Sequence, residues 1–445
     1  MLILALDIGS SSVKAGLLRD GRIVGRPARE TFPTRYIRDR AEVDPEAIVR
    51  AIVRSIRALG PQTRRIDCIA LATMSPSWLA MDRRGRAITP VVTHQDRRSL
   101  DVAIEIERRI GKARHLKMVG ARPVPGGISS TTCGWFVRHE PQVMRRADLV
   151  GHLSTYLHRQ LTGARVVDPS HASFMGLYST LKLGGWNDEL CEVVGITRKL
   201  LPEVRDADQI GGQLTPDAAR RLGLAAGTPM LVGFIDTSAV ALLAGARPGQ
   251  LVNVVGSTDV LALCTDKPRP HERLLTRALG VGGLWLSVGT IAAAGSSLEW
   301  ARQQLFPDLD DQRFYRMVQQ LAATAERARD GVEFEPYLAG DRCSLEQRQG
   351  AFRGLTLAST RRQLLAAIID ALARASAVRL DLLRAAGTRL RREILVSGGG
   401  SRALSRVMYR DWPGRWRFRR RAQATLLGLG CLACGCPEKT PDPLK

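Results

Sequence analysis

A chain of 445 residues with 44% hydrophobic and 24% charged residues can bury two or three cores, which excludes a disordered or fibrous polymer. The formal net charge is +23, and 58 of the 66 basic residues are Arg, spread along the whole chain. Such a charge draws polyanions, but no zinc-finger or RNP-type motif accompanies it; it reads as compositional bias, and no specific nucleic-acid partner is expected.

The chain opens on LILALDIGSSSVKAGLL, a buried strand over Leu2–Leu6, an acidic residue, a small-residue turn and a returning strand over Val13–Leu18. A carboxylate beside such a turn suits phosphate and a metal ion. Gly9 admits close backbone approach, Ser10, Ser11 and Ser12 add donors, and Asp7 can hold Mg²⁺ through water. An ordinary β-hairpin fits the same residues. No basic region precedes the apolar start, and no apolar run reaches the roughly 20 residues of a bilayer span. With eight scattered Cys, this predicts a reducing, cytoplasmic setting and no membrane partner.

Asp44-Pro45 opens a helix with Ile48, Ile52, Ile56 and Leu59 on one face. Strands at Ile66–Ala72, Trp78–Met81 and Ile88–Val92 alternate with helices, which predicts an α/β sheet domain. His94, Gln95, Asp96 and Arg97 then sit at a strand's carboxyl end, where α/β folds put ligand contacts. Asp96 fits equally as the N-cap of a helix over Leu100–Ile110. A Pro/Gly/Ser/Thr-rich loop over Pro123–Thr132 leads into helical patterns at Cys133–His139 and Val150–Leu161, and Val166–Tyr178 reads as irregular.

Thr228–Gly245 reads as a strand (Met230–Phe234), then Ile235-Asp236, then a small-residue helix (Thr237–Ala244). Beside that helix N-terminus Asp236 is set as a general base, or as an N-cap. Leu251–Leu263 (LVNVVGSTDVLAL) repeats the pattern of the opening stretch, which predicts a duplicated architecture with one phosphate-gripping turn per half. Arg247-Pro248-Gly249 marks a boundary between domains 1–246 and 247–445. Gly289–Leu305 and Arg361–Leu383 read as helices, and Phe334–Gly340 and Ala351–Leu357 flank a polar loop. A strand over Glu393–Ser397 enters Gly398-Gly399-Gly400 and a helix Ala403–Arg410, a corner whose amides and dipole suit an anion. No GxxxxGK[ST] occurs, which excludes a P-loop. Arg415–Arg421 alternates as a strand would. Cys431, Cys434 and Cys436 lack a fourth metal ligand and read as helix and tail residues.

Taken together the chain resembles the FGGY carbohydrate kinases, which include xylulokinases, gluconokinases and glycerol kinases. The resemblance runs nearly end to end, through DIGSSSVK (Asp7–Lys14), HQDRR (His94–Arg98), DPSHAS (Asp168–Ser173), FIDTSA (Phe234–Ala239), VVGSTD (Val254–Asp259), AGSSLEW (Ala294–Trp300), PYLAGDR (Pro336–Arg342), GAFRGLTL (Gly350–Leu357) and VSGGGSR (Val396–Arg402). It implies an actin-like α/β fold, two RNase H-like domains with ATP and sugar in the cleft between them. It also implies ATP- and Mg²⁺-dependent phosphoryl transfer to a hydroxyl of a small sugar or polyol. By resemblance Asp236 is the catalytic base and Asp7 the metal-side carboxylate. Gly9, Ser10, Ser11, Ser12 and Lys14 form one phosphate grip, and Gly256, Ser257 and Thr258 the other. Gly398, Gly399 and Gly400 belong to the adenosine pocket; Ser75, Asp96, Arg97 and Asp236 face the acceptor. Three stretches depart from the family's usual residues. Met74-Ser75-Pro76-Ser77 stands where xylulokinases carry Gln-Met-His-Gly, Thr93-His94-Gln95 where a Trp is usual, and Leu427-Gly428-Leu429-Gly430 where a Gly-Ala-Ala helix is usual. An actin-like ATPase or sugar-binding sensor with poor transfer is the alternative, a nucleic-acid-binding protein a remoter one, and a homodimer is the assembly considered.

Overall fold

The residues LILALDI are all buried, in a strand Leu2–Ile8 that returns antiparallel as Ser12–Arg19 and again as Arg22–Thr31. On its other side it pairs in parallel with Cys68–Thr73, which Pro229–Leu231 and Phe234–Ile235 extend. The computed structural model describes residues 1–323 and 331–434, the side chains of 401–403 excepted. The same plan recurs in its second half. Leu251–Val255 pairs antiparallel with Asp259–Thr265, that strand with Trp285–Ile291, and Leu251–Val255 pairs in parallel with Glu393–Ser397. Antiparallel strands beside parallel ones, twice over, make a two-domain α/β fold of the actin-like ATPase type.

Amphipathic helices cover both sheets. Pro45–Ala58, capped by the Asp44 carboxylate, buries Ile48, Ile52 and Ile56 in the first core. Arg361–Ala385 begins with a capping box between Thr360 and Gln363 and buries Leu365, Ile368 and Leu372 in the second. A smaller sheet (Arg35–Ile37, Arg40–Val43, Val91–Thr93, Ser77–Met81 and Leu149–Gly151) sits in the first half and carries the loop at His94. Among the described residues no helix is long and apolar enough to cross a membrane.

Several expected elements differ. Leu149–Gly151 is a strand paired with Ser77–Met81, so the helix expected from Val150 begins at Leu153. The helix expected over Gly289–Leu305 is a strand, Trp285–Ile291, followed by a helix, Gly295–Leu305, because pairing with Asp259–Thr265 claims the first part. Pro169–Met175, expected to be irregular, is a short helix with Asp168 as its N-cap and Pro at its first turn. Within Arg415–Arg421, the residues Arg417–Arg420 form an exposed edge strand parallel to Glu393–Ser397, with Phe418 stacked on Tyr409 at 4.4 Å. Cys436 lies outside the described residues.

The last helix, Ala424–Cys434, leaves the 247–445 segment and packs on the first half. Leu426, Leu429 and Leu432 join Ile3, Ala5, Leu18 and Ala70 in one cluster. A Cβ on Gly428 would stand 2.0 Å from the Ala239 carbonyl oxygen, so the two helices touch backbone to backbone. Gly428→Ala gains about 1 kcal/mol of helix propensity, but the overlap is with backbone that cannot rotate away. We expect a net loss of ~1–3 kcal/mol, read as a lower urea midpoint. Gly184→Ala, whose Cβ would meet side-chain carbons no closer than 3.6 Å, is the control and should leave the midpoint unchanged. Equal midpoints for both variants would contradict the packing described.

Candidate functional site

Each hairpin turn is closed by a backbone bond from its Gly. Gly9 N donates to Ser12 O at 3.0 Å, and Gly256 N to Thr258 O at 2.8 Å. The two turns line one cavity of about 180 Å³, the first through Gly9 and Ser10 and the second through Ser257 and Thr258, and Asp236 lines it with them. Ser11 and Ser12 lead into the returning strand, where Ser12 Oγ accepts from Arg29 Nε at 3.3 Å. Gly400 N donates to Val255 O at 3.0 Å and Gly295 N to Gly256 O at 3.1 Å. These bonds tie the Gly398–Gly400 turn and the helix Gly295–Leu305 to the second hairpin.

Asp7 lies opposite Lys14 in the first hairpin, and Lys14 Nζ is 3.4 Å from its Oδ2. Burial raises the Asp7 pKa and the charge of Asp236 adds to the rise, while Lys14 and the Thr425 hydroxyl oppose it. In the second hairpin the position two residues before the turn's Gly is Val254, and the carboxylate that follows that turn, Asp259, is buried and paired with Arg379. Two neighbouring carboxylates balanced by one Lys suit a hydrated divalent cation, which takes one or two protein carboxylates and completes its shell with water and phosphate oxygens. Among the described residues no group of three His, Cys, Asp or Glu side chains forms a closed metal cage.

Asp236 is the first residue of the helix Asp236–Leu243 and follows directly on the strand Phe234–Ile235. Its Oδ1 accepts from Thr237 N (2.6 Å) and Thr237 Oγ1 (3.1 Å). Its Oδ2 has no partner among the described residues, and Asp236 lines the cavity. The bonds that cap the helix therefore orient the carboxylate without using it up. Ile235 N donates to Ser170 Oγ at 3.2 Å, which fixes the strand end before it.

A buried polar layer underlies the acceptor side. Ser75 Oγ is 2.9 Å from His152 Nδ1, and His152 Nε2 is 3.2 Å from Ser129 Oγ. Thr73 Oγ1 meets His171 Nε2 at 2.7 Å, and the other ring nitrogen of His171 meets Asp168. Burial, with the neighbouring His171 and Arg277, holds His152 well below its ordinary pKa, so it is neutral and its two nitrogens take one donor and one acceptor role. His94 and Gln95 line the cavity beside Ser75. Burial and then Arg342 and Arg97 keep His94 neutral as well.

Asp96 and Arg97 are not among the cavity-lining residues. Asp96 Oδ2 accepts from Ala41 N (2.8 Å) and Arg98 Nη2 (2.7 Å), and Oδ1 from Arg98 N (3.1 Å) and Nε (2.9 Å). Arg98 also pairs with Glu42, and its own side chain is 3% exposed. Arg97 donates to the carbonyls of His94, Pro125 and Ala339, bracing the loop against the second half. The cavity also includes Arg342, which lies within PYLAGDR and had no role assigned from the sequence; His152, within a family-like stretch over Arg138–Gly163, had none assigned either. A larger cavity of about 760 Å³, also lined by Arg342 and running along the helix Arg361–Ala385, contains neither hairpin turn nor Asp7 or Asp236.

The Asp96–Arg98 pair generates a stability prediction. Asp96→Asn removes one of the two carboxylates that neutralise the buried Arg98 guanidinium and leaves Glu42, a loss that approaches but does not reach the ~3–5 kcal/mol of a buried charge left wholly unpaired. The urea midpoint should fall markedly; a wild-type midpoint with a changed acceptor affinity would mean that the carboxylate instead serves the ligand.

Comparison with known proteins gives a consistent picture. The family model described as the FGGY family of carbohydrate kinases, N-terminal domain, matches residues 2–243, and its C-terminal counterpart matches residues 251–408. The chain is 27% identical over 384 residues to a gluconokinase of Bacillus subtilis, covering 83% of this chain and 74% of the relative. It is 25% identical over 425 residues to a xylulose kinase of Escherichia coli, covering 93% and 85%. The solved structure of a xylulose kinase from Rhodospirillum rubrum superposes with a TM-score of 0.81 at 26% identity, over 97% of this chain and 90% of that one.

Proposed function

The chain belongs to the FGGY family of carbohydrate kinases, phosphotransferases with an alcohol acceptor, and from that membership we propose that it transfers the γ-phosphoryl group of ATP to one hydroxyl of a small sugar, polyol or sugar acid. The observation that carries this reading is the free Oδ2 of Asp236, lining a cavity that both hairpin turns also line. Phosphoryl transfer asks little covalent chemistry of a protein: an in-line hydroxyl, a base, and shielding of phosphate charge. Asp236 accepts the proton of the attacking hydroxyl as the new O–P bond forms and the bond to the β–γ bridging oxygen breaks. The turns Gly9–Ser12 and Gly256–Thr258 supply backbone and hydroxyl donors to the phosphate oxygens, with Lys14 beside them. Gly398, Gly399 and Gly400, tied to the second turn, border the adenosine. Mg²⁺ held by Asp7 would neutralise charge on the phosphates.

On the acceptor side Ser75, His94 and Gln95 face the substrate, while Asp96 and Arg97 position that loop. The names of the relatives put xylulose and gluconate on the list of acceptors to assay. The departure at Met74–Ser77 supports testing well beyond xylulose.

Two variants separate the proposed roles. Asp236→Asn keeps size and polarity but removes the base, so kcat should fall ~10²–10⁴-fold with nucleotide and acceptor still bound. Asp7→Asn should instead raise the Mg²⁺ concentration needed for half-maximal rate. Turnover across a Mg²⁺ titration, with binding followed by calorimetry, reads both. A near-wild-type rate for Asp236→Asn would remove it as the base.

A further inference from the structure

Three guanidiniums converge on one short loop beside the acceptor cavity. Arg97 Nη1 donates to Pro125 O at 2.8 Å, Arg342 Nε to Gly126 O at 3.2 Å, and Arg277 Nη2 to Gly127 O at 3.0 Å. They come from distant parts of the chain: the loop after Val91–Thr93, the segment before Ala351–Arg353, and the strand Leu275–Ala278. The Pro/Gly-rich composition of this loop has a use here. Gly126 has φ 68°, and a Cβ there would meet Arg97 Nη1 and His94 O, each at 2.1 Å. The loop is a row of three carbonyls, each turned to a different cation.

Negative charge is scarce around the cluster: Asp96 and Asp341 act on Arg97 and Asp236 on Arg342, but Arg277 and Arg342 are in no ion pair with any of them. Other buried cations are neutralised, Arg98 by Asp96 and Glu42, Arg379 by Asp259. Neither Arg277 nor Arg342 has an ion-pair partner among the described residues. Arg277 is fully buried, donates otherwise only to Ser173 O, lies 4.2 Å from the Phe174 ring, and its Nε has no partner. Arg342 is 7% exposed and reaches only carbonyls, Gly126 O and, at 3.5 Å, Ser75 O. Burial, reinforced by neighbouring cations, pushes the Arg277 pKa down to about 9 and that of Arg342 to about 10. Both stay protonated at neutral pH, so charge is buried and carbonyl dipoles offset only part of the cost.

Arg342 is the member of the cluster that reaches the acceptor. It lines the cavity with Ser75 and Asp236. Asp236 cannot serve as its permanent counter-ion while also accepting a proton. The phosphate side already has two turns and Lys14 as donors. We propose that the acceptor is a polyhydroxylated carboxylate, a sugar acid of the aldonate class, whose carboxylate binds Arg342 in a site kept positive by Arg97 and Arg277. This rests on the kinase reading of the same cavity. A planar guanidinium fork matches a carboxylate bidentately, which leaves the neutral His94, Gln95 and Ser75 to meet hydroxyls.

The test is calorimetry on the full chain with matched pairs that differ only in the carboxylate: gluconate against glucitol, and xylonate against xylitol. The aldonate should bind ~10- to 150-fold tighter, the range for a hydrogen-bonded charge. The preference should collapse in Arg342→Gln and persist in part in Arg342→Lys. Equal or tighter binding of the alditols by the wild-type protein overturns the proposal and needs no variant. So does an Arg342→Gln protein that loses turnover on every acceptor alike with its carboxylate preference intact, since Arg342 would then serve the transferred phosphoryl group. The two readings fail separately. A carboxylate preference without ATP-dependent turnover on any acceptor sinks the kinase reading and upholds this one. Turnover of neutral sugars without aldonate binding does the reverse.

Discussion

The helix that begins at Asp236 is packed from both halves of the molecule, and the site depends on that packing. Ala239 and Leu242 join the first sheet's cluster with Leu426 and Leu429 of the last helix, while Ile235, Val240 and Ala241 join Val252, Ala262 and Leu395 of the second sheet. So many neighbours fit because the helix is built from small residues and because Gly428 lets the last helix approach the Ala239 carbonyl. A carboxylate at the start of such a helix has little freedom left. Its direction is fixed by Thr237 and by the strand that enters it, and rigidity of this kind is what lets a base meet a hydroxyl in one geometry.

The duplicated sheets explain why the site lies between the halves. Each sheet brings its first hairpin turn to the same end, so two small-residue turns face one cavity, with nothing larger than Thr258 at either turn. The duplication is not complete in its charges. Asp7 and Lys14 face each other across the first hairpin, whereas Val254 and Val260 take those places in the second. The second half contributes the Gly398–Gly400 corner, and its Arg277 and Arg342 cross to carbonyls of the first half. Cations without an ion-pair partner among the described residues thus also connect the two halves beside the cavity.

Much of this was legible in the sequence, for identifiable reasons. Both hairpins and the strand into Gly398 are short apolar runs ending in small residues, a pattern set locally, and the family resemblance followed their order. The helix start at Pro45 was signalled by Asp44-Pro45. What was not legible depended on partners far away in sequence. Leu149–Gly151 and Trp285–Ile291 have helix-compatible patterns, and the strands they pair with decide them. Asp96 was correctly seen as a loop carboxylate at a strand's end, but its saturation by Arg98 and Ala41 N needs the folded loop. His152, Arg277 and Arg342 come together over separations of 65 to 190 residues, and no local motif reports such meetings.

The central claim is that the two turns hold one phosphate chain between them. Calorimetry of ATP and of adenosine binding to wild-type, Ser10→Ala and Thr258→Val proteins tests it most directly. Each substitution removes a hydroxyl from one side of the cavity. Each should therefore weaken ATP binding by roughly 10-fold, the scale of one hydrogen bond to a charged oxygen, and leave adenosine binding as it is. ATP affinity unchanged in either variant, or adenosine affinity lost in step with it, would contradict the account.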